Sequence, residues 1–294
     1  MTNGSDNVQQ EIDLLYRGSF GKMVASVLCF STDIDLETAE DLVHDAFAAG
    51  LKSWRNDGIP DNPGGWIFTV CRNKALNKIR EQKRFRHVFV NDDFLSEDAP
   101  FTEPSLDDQQ LKLVFACAHP DLSPKVQVVI TLKYVVNLKV EAIAKILGLT
   151  IDGIDKLLVR ARQKIRDERL LLTAPDIAAM KPRLQIVHKI IYLLFNEGYK
   201  SSWGKELVRE ELCGEALLMN KTLFDSKLAT KETCALHALM LFNSARLKAR
   251  FGPCGELVEL EEQDRSLWSK ELIALGCTYL KPGRTHEVTI PLLF

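Results

Sequence analysis

The sequence contains no apolar run approaching the roughly 18 residues that a membrane-spanning helix requires. Its first ten residues are polar, without the basic start and apolar core of a signal peptide. From residue 12 onward it has almost no alternation of apolar and polar residues, which is the pattern of a half-buried strand. These absences predict a cytoplasmic, all-α protein that has no membrane partner.

The cysteine pattern argues against both a disulfide framework and a metal site. The seven cysteines are odd in number and form no Cys-x-x-Cys pair, which favours reduced thiols. Cys117 lies near His119, and Cys234 lies near His237, but neither pair has a second pair of ligands. We therefore expect small buried thiols and no metal ion.

The sequence also lacks the groups that would make its carboxylates catalytic. Glu197 beside Tyr199, or the cluster of Glu261, Glu262 and Asp264, are the pairs that an active site would use. No nucleophile, phosphate-binding loop or ligand cluster accompanies them. We interpret these carboxylates as surface charges or helix caps and expect neither catalysis nor a cofactor.

The formal net charge is only −2, yet the charges are strongly segregated along the chain. Acidic residues cluster at 33–45 and at 91–108, and neither stretch contains Lys or Arg. Basic residues cluster at 72–86 and at 156–169. The second acidic stretch also holds Pro and Ser and has no helical period, so it predicts a flexible linker. The predicted division is two small helical domains at 1–87 and 106–172, an acidic linker at 88–105, and a C-terminal helical domain at 173–294.

Helical periodicity predicts where the elements of an all-α fold begin and end. Proline and glycine at 58–65 mark a loop before the third helix, and Gly148 marks a tight turn between two later helices. The predicted helices are 11–30, 35–55, 63–85, 106–118, 123–136, 139–147, 151–170, 181–196, 205–220, 230–248 and 256–275.

The segment from Val140 to Arg166 has the pattern of a helix-turn-helix. Gly148 suits the positive φ of a short interhelical turn, and Thr150 can cap the second helix. One face of that helix is apolar and predicted to be buried, through Ile154, Leu158, Ala161 and Ile165. The opposite face is suited to the major groove of DNA and carries Asp152, Lys156, Val159, Arg160 and Gln163. The alternative is a helical hairpin with a solvated charged face.

Two consecutive helices of the N-terminal domain differ sharply in charge. The first, at 35–54, buries apolar residues such as Val43 and Phe47 and presents Glu37, Glu40, Asp41 and Asp45 to solvent or to a basic partner. The second, at 63–85, combines a basic face with the nearby aromatic residues Trp54, Trp66, Phe68 and Phe85. Cations that hold a phosphate backbone beside rings that stack on bases suit single-stranded DNA. We expect one face for protein and the next for DNA.

Three motifs in this order resemble extracytoplasmic-function sigma factors of the sigma-70 family over residues 10–170. AEDLVHDAFAAGLKSW and NPGGWIFTVCRNKALNKIREQKR resemble sigma region 2, and the segment ending LLVRARQKIR resembles region 4. The resemblance implies a promoter-recognition subunit that binds core RNA polymerase through its β′ clamp and β flap and recognises promoter DNA. It also implies that the acidic linker occupies the polymerase channel meant for RNA.

The resemblance assigns three sets of residues. Core-polymerase binding falls to Glu37, Glu40, Asp41 and Asp45. Contact with the −10 element falls to Trp66, Arg72, Asn73, Lys74, Asn77, Arg80, Lys83 and Arg84. Contact with the −35 duplex falls to Thr150, Asp152, Lys156, Arg160, Gln163 and Lys164. The sequence departs from this family at two positions. Asn77 stands where many relatives have Asp. Asp155 would place a negative charge near the phosphates of the −35 duplex, which disfavours DNA binding.

The C-terminal third, with LLFNEGY and GELVELEEQDRSLW, resembles the sigma subgroup that has an appended domain of tetratricopeptide-like helix pairs. Such an array implies a protein or peptide partner and regulation in cis. The alternative is a domain that only packs on the rest. The tail 276–294 departs from this pattern, since its VTIPLLF is strand-like. A different class also fits the helix-turn-helix: a one-component regulator whose C-terminal domain binds an effector.

Overall fold

The computed structural model describes residues 3–30, 34–85, 106–170, 172–200, 208–252 and 256–281. Within these ranges the backbone is helical apart from short connections and one isolated bridge between Phe251 and Leu257. The all-α fold class is therefore confirmed. The chain separates into two compact units, one formed by Met1–Val140 with Asp152–Pro175 and the other by Glu141–Ile151 with Asp176–Phe294.

The first unit begins with three helices: α1 at Asn3–Phe30, α2 at Leu36–Asp57 and α3 at Pro63–Phe85. Asp35 caps α2 by accepting a hydrogen bond from the Thr38 amide at 2.8 Å. Asn62 accepts one from the Gly65 amide at 2.9 Å, where Pro63 opens α3. The three helices bury a shared apolar core that includes Phe47.

The helices that follow pack on the same α1. They are α4 at Leu106–Cys117 and α5 at Pro124–Ile130, and α5 continues into a π-helical turn at Thr131–Val135. From Phe20 to Leu28, α1 is buried on nearly every side. Gly21 allows the close approach, because a Cβ there would lie 1.6 Å from the carbonyl oxygen of Val135. Helix α1 therefore packs both against α2 and α3 and against α4 and the π-helical turn.

The predicted helix-turn-helix segment forms α6 at Val140–Leu147 and α7 at Ile151–Asp167. Gly148 between them adopts φ +62, as the sequence predicts for this turn. Ile154, Leu158 and Ala161 of α7 are buried and Ile165 is half-buried, which confirms the predicted apolar face. The helix ends at Asp167, three residues earlier than predicted.

The C-terminal unit is built on helices that pack successively against one another. A short α8 at Ile177–Met180 leads through a 3-10 turn into α9 at Leu184–Tyr199. Next come α10 at Glu210–Asp225 and α11 at Lys231–Ala245, and the described helices end with α12 at Lys270–Tyr279. In the packing, α10 lies against α9 and α11, and α11 lies against α12.

The helix predicted at 256–275 is wrong over residues 256–269, since the α-helix begins only at Lys270. Residues 256–269 form turns and a 3-10 segment, where the Asp264 side chain accepts a hydrogen bond from the Ser266 amide at 2.9 Å. Ser269 caps α12 by accepting from the Leu272 amide at 3.2 Å. Asp264 thus stabilises a 3-10 turn in place of helix, and Ser269 as N-cap fixes the start of α12 at Lys270.

Other predicted positions shift or lie outside the described residues. The helix predicted at 205–220 is found at Glu210–Asp225, and α12 extends past Gly276, so the predicted tail begins in helix. The remainder of that tail, with VTIPLLF, lies outside the described residues, as does the predicted linker at 88–105.

Candidate nucleic-acid and protein interfaces

Helix α3 separates its apolar and polar residues as the sequence predicts. Ile67, Cys71, Ala75 and Ile79 are buried at helical spacing, and burial raises the pKa of the Cys71 thiol to about 12, so this thiol stays neutral. Of the residues predicted to contact the −10 element, three share an exposed stripe and three are half-buried. The exposed ones are Asn73, Asn77 and Arg80, and the half-buried ones are Trp66, Arg72 and Lys74. The side chains of Lys83, Arg84 and Phe85 lie outside the described residues.

The aromatic residues near α3 have different positions. Trp54 is only 2% exposed and packs edge-on against Trp66, with ring centroids 5.6 Å apart. Trp54 therefore belongs to the core and cannot stack on a base, contrary to the sequence prediction, because its place on the apolar face of α2 turns it inward. Trp66 and Phe68 keep partly exposed surfaces and remain candidates for such a contact.

The four carboxylates predicted to bind polymerase, Glu37, Glu40, Asp41 and Asp45, share the solvent side of α2, which we call the acidic face. Asp41 and Asp45 are exposed, and Asp45 lies 3.4 Å from the Lys74 amine on α3. This exposed pair joins the acidic face to the basic surface of α3. The predicted protein-facing and DNA-facing surfaces therefore adjoin within the first unit.

The other two carboxylates of the acidic face are paired with cations from later helices. Glu40 contacts the Lys133 amine of the π-helical turn at 2.5 Å, and Glu37 contacts the Arg162 guanidinium of α7 at 2.8 Å. Sequence reasoning missed Lys133 and Arg162, since partners 93 and 125 residues away leave no local signal. The acidic face has a basic partner inside its own chain.

An open pocket of about 370 Å³ lies where α7 meets the N-terminal end of α2. Its lining residues are Glu37, Val159, Arg162, Gln163, Arg166 and Asp167. Nearby, burial raises the pKa of Tyr134 to about 12, and the positive charge of Arg162 acts in the opposite direction. Part of the polar surface of α7 therefore faces α2 and its acidic face.

The residues predicted to contact the −35 element are mostly accessible. Arg160 and Gln163 are exposed, and Lys156 pairs with Asp152 one turn earlier at 2.7 Å. An exposed pair of this kind is worth well under about 1 kcal/mol, so Lys156 can exchange its partner for a phosphate. Lys164 is half-buried and donates a hydrogen bond to the Asp121 carbonyl at 2.6 Å, which ties α7 to the loop before α5. Thr150 is exposed.

Of the residues considered for metal binding, Cys117, Cys234 and His237 are buried and His119 is half-buried. Burial raises the pKa of Cys117 to about 12 and lowers that of His237 to about 4. The His237 ring lies against Tyr279, with centroids 4.4 Å apart. Among the described residues, no group of three His, Cys, Asp or Glu side chains is placed to hold a metal ion. Nor is any described helix both long and apolar enough to span a membrane.

The carboxylates considered for catalysis are dispersed. Glu261 and Glu262 are exposed, and Asp264 caps the 3-10 turn, both as predicted. Glu197 is only 2% exposed, so its interpretation as a surface charge or cap is wrong. It lies three residues after the buried Leu194, and helical spacing therefore places it on the packed face of α9.

Comparison with known proteins assigns three parts of the chain to families. Residues 21–85 match Sigma-70 region 2, and residues 112–165 match Sigma-70 region 4. Residues 183–283 match a family of unknown function, DUF6596. The uncharacterized protein R00370 of Rhizobium meliloti (strain 1021) is 30% identical over 285 residues, which span 94% of this chain and 66% of that relative. No solved structure gives a significant match.

The order of these matches agrees with the geometry. The region 2 match contains the acidic face and the exposed stripe of α3, and the region 4 match contains nearly all of α7. The DUF6596 match covers α9 to α12. Together these matches support a sigma-70 factor of the extracytoplasmic-function type with an appended C-terminal domain.

Proposed function

We propose that the chain binds core RNA polymerase and directs it to promoters, where α3 takes part in melting and reading the −10 element and α7 reads the −35 duplex. The observation that carries the proposal is the junction of two surfaces in region 2. The acidic face of α2 and the polar, basic surface of α3 adjoin through Asp45 and Lys74. A subunit that loads a polymerase onto DNA needs a protein-binding and a DNA-binding surface side by side.

Electrostatics assigns a different partner to each surface. Carboxylates on α2 repel phosphates and suit a basic protein surface, such as the one that the resemblance implies on the β′ clamp. Arg80 on α3 and Arg160 on α7 suit phosphates, and Asn73, Asn77 and Gln163 can hydrogen-bond to bases. The aromatic surface of Trp66 suits an unstacked base. The β flap, as the resemblance implies, is the partner of region 4.

The decisive experiment is binding of purified core polymerase to the full chain and to Asp41→Lys/Asp45→Lys. Both residues are exposed, and the contact of Asp45 with Lys74 is a surface ion pair, so we expect the charge reversal to leave the fold intact. We expect affinity to fall at least tenfold, about 1.4 kcal/mol. Glu259→Lys/Glu261→Lys makes the same charge change on exposed residues of the C-terminal unit and should bind as the wild type does.

If both double variants lose affinity for polymerase equally, the affinity depends only on the net charge of the chain and not on the acidic face. Absence of binding by the wild-type chain would instead favour a one-component regulator that binds an operator through α7. Such a regulator has no use for an acidic face beside a basic aromatic helix, and that is why we place it second. A sigma-type initiation factor has no catalytic step of its own, and we propose none.

The C-terminal domain is proposed to regulate promoter output in cis, through a protein or peptide partner. Support comes from the packing of α9 against α10, α10 against α11 and α11 against α12, since stacked helices of this kind can bind such partners. A promoter reporter in cells, driven by the chain with and without residues 175–294, tests this idea. Unchanged output with equal protein abundance would leave the domain only a packing role.

A further inference from the structure

Region 4 contacts region 2 on the side where polymerase is proposed to bind. Glu37 and Glu40 of the acidic face pair with Arg162 and Lys133, both of which belong to region 4. Neither Lys133 nor Arg162 is among the residues assigned to DNA contact. The Glu37 and Glu40 carboxylates are thus paired with two cations that have no role in the proposed contacts with DNA or polymerase.

The Glu40–Lys133 pair is better shielded from solvent than an ordinary surface pair. The Glu40 side chain is 13% exposed and that of Lys133 is 24% exposed. His44 adds a second basic neighbour to Glu40, with its Nε2 atom at 3.8 Å. Screening by water and salt is weaker for partly buried charges, so this pair holds region 4 more firmly than an exposed pair would.

Packing and hydrogen bonds extend the same contact along α1. The Ser26 hydroxyl donates a hydrogen bond to the Gln109 side chain in a buried site, and Asn137 lies close enough to the Tyr16 hydroxyl to favour its charged form, although burial raises the pKa of Tyr16. At the crossing, the α1 backbone at Gly21 meets the Val135 carbonyl with no room for a methyl group. Charge, hydrogen bonds and shape therefore agree on one arrangement of the two regions.

We propose that in the free chain region 4 covers part of the acidic face, so that the chain is closed to core polymerase until region 4 moves away. This inference rests on the proposed function, because it regulates the same polymerase-binding face. Glu37 and Glu40 cannot pair with region 4 and with polymerase together. The apparent affinity for polymerase is then the intrinsic affinity multiplied by the fraction of chains that are open.

Two independent perturbations open the contact without altering a proposed interface. Lys133→Met/Arg162→Gln removes both cations, and Gly21→Ala places a methyl group against the Val135 carbonyl. The matched control for the first is Lys221→Met/Arg209→Gln, which removes two cations paired with Asp225 and Glu211 in the C-terminal unit. The control for the second is Gly18→Ala on the same helix, where nothing lies within 4 Å.

Affinity for core polymerase, measured on the full chain, is the first readout. We expect both opening variants to bind about tenfold more tightly than the wild type, which corresponds to about 1.4 kcal/mol, and both controls to bind as the wild type does. The second readout is a zero-length carbodiimide cross-link between the Glu40 carboxylate and the Lys133 amine, identified by mass spectrometry. It should form in the free wild-type chain, decrease in Gly21→Ala and disappear when core polymerase is bound.

The outcomes separate the two proposals. If wild type and variants bind polymerase equally, or the cross-link persists in the complex, closure is overturned while polymerase binding stands. If no form of the chain binds polymerase, the proposed function fails and closure fails with it. Should Gly21→Ala not fold, judged by circular dichroism against Gly18→Ala, the variant that lacks Lys133 and Arg162 decides alone.

Discussion

Gly198 permits a close approach of the backbones of α9 and α10, and Gly198→Ala tests whether this packing is as tight as the structure shows. A Cβ at this position of α9 would lie 2.7 Å from the Cys213 amide nitrogen and 2.8 Å from the Arg209 carbonyl oxygen. Those atoms belong to the backbone and cannot rotate away. The carbonyl of Gly198 also accepts a hydrogen bond from the Arg209 amide at 2.7 Å. Moving the two backbones apart to make room for a Cβ would strain this hydrogen bond.

The magnitude follows from two opposing terms. Replacing a helical glycine by alanine favours the helix by about 1 kcal/mol. Overpacking a site without free volume costs about 1–3 kcal/mol, and more where the backbone must move. We therefore expect Gly198→Ala to lower the free energy of unfolding by about 1–2 kcal/mol. Gly214→Ala on α10, where nothing lies within 4 Å, keeps only the favourable term and should raise it by up to about 1 kcal/mol.

Calorimetric unfolding of the full chain measures the stability change, and hydrogen exchange assigns it to the domain. Amides of α9 and α10 should lose protection in Gly198→Ala, while those of α3 keep theirs. If Gly198→Ala is as stable as Gly214→Ala, α9 and α10 are not in contact as described. The reasoning from close approach would then be refuted for this domain.

Two further predictions concern a buried histidine and a DNA contact. Burial lowers the folded-state pKa of His237 to about 4, below its unfolded value of about 6.5. The stability that this neutral ring contributes is therefore fully present above pH 6.5 and is lost as the pH falls toward 4. The loss amounts to at most about 3 kcal/mol of the free energy of unfolding. His237→Phe should flatten that part of the pH profile of chemical unfolding, and an unchanged profile would show that the ring protonates without cost. Arg160→Ala should reduce the slope of log affinity for promoter DNA against log salt by about 0.9, the value for one phosphate contact. An unchanged slope would place Arg160 outside the DNA interface.

Short-range order could be predicted because helical periodicity is local. The buried face of α7, with Ile154, Leu158 and Ala161, follows from 3.6 residues per turn and needs no knowledge of the rest of the chain. The turn at Gly148 was equally predictable, since few other residues accept its positive φ. The accessible positions of Arg160 and Gln163 follow from the same periodicity.

Competition between local interactions was harder to predict. Leu257 and Leu260 amid acidic residues have a helix-like pattern, yet both are about half exposed, Leu257 in an isolated bridge and Leu260 in a turn. The deciding interactions are single hydrogen bonds that nearby backbone amides donate to the side chains of Asp264 and Ser269. Each contributes about 1 kcal/mol, comparable with the small preference of these residues for helix, so propensity alone cannot decide between the two structures.

Glu37 and Glu40 show where sequence reasoning ends. Their outward direction on α2 was predictable from helical periodicity, and their charge predicted a basic partner. That the partner is Lys133 and Arg162 of the same chain depends on how α4, the π-helical turn and α7 pack against region 2. Such packing is decided by the summed fit of many apolar side chains and by close approaches such as that at Gly21, and no single motif encodes it. Because any basic partner of the acidic face must compete with Lys133 and Arg162, the fold of the free chain enters its affinity for polymerase.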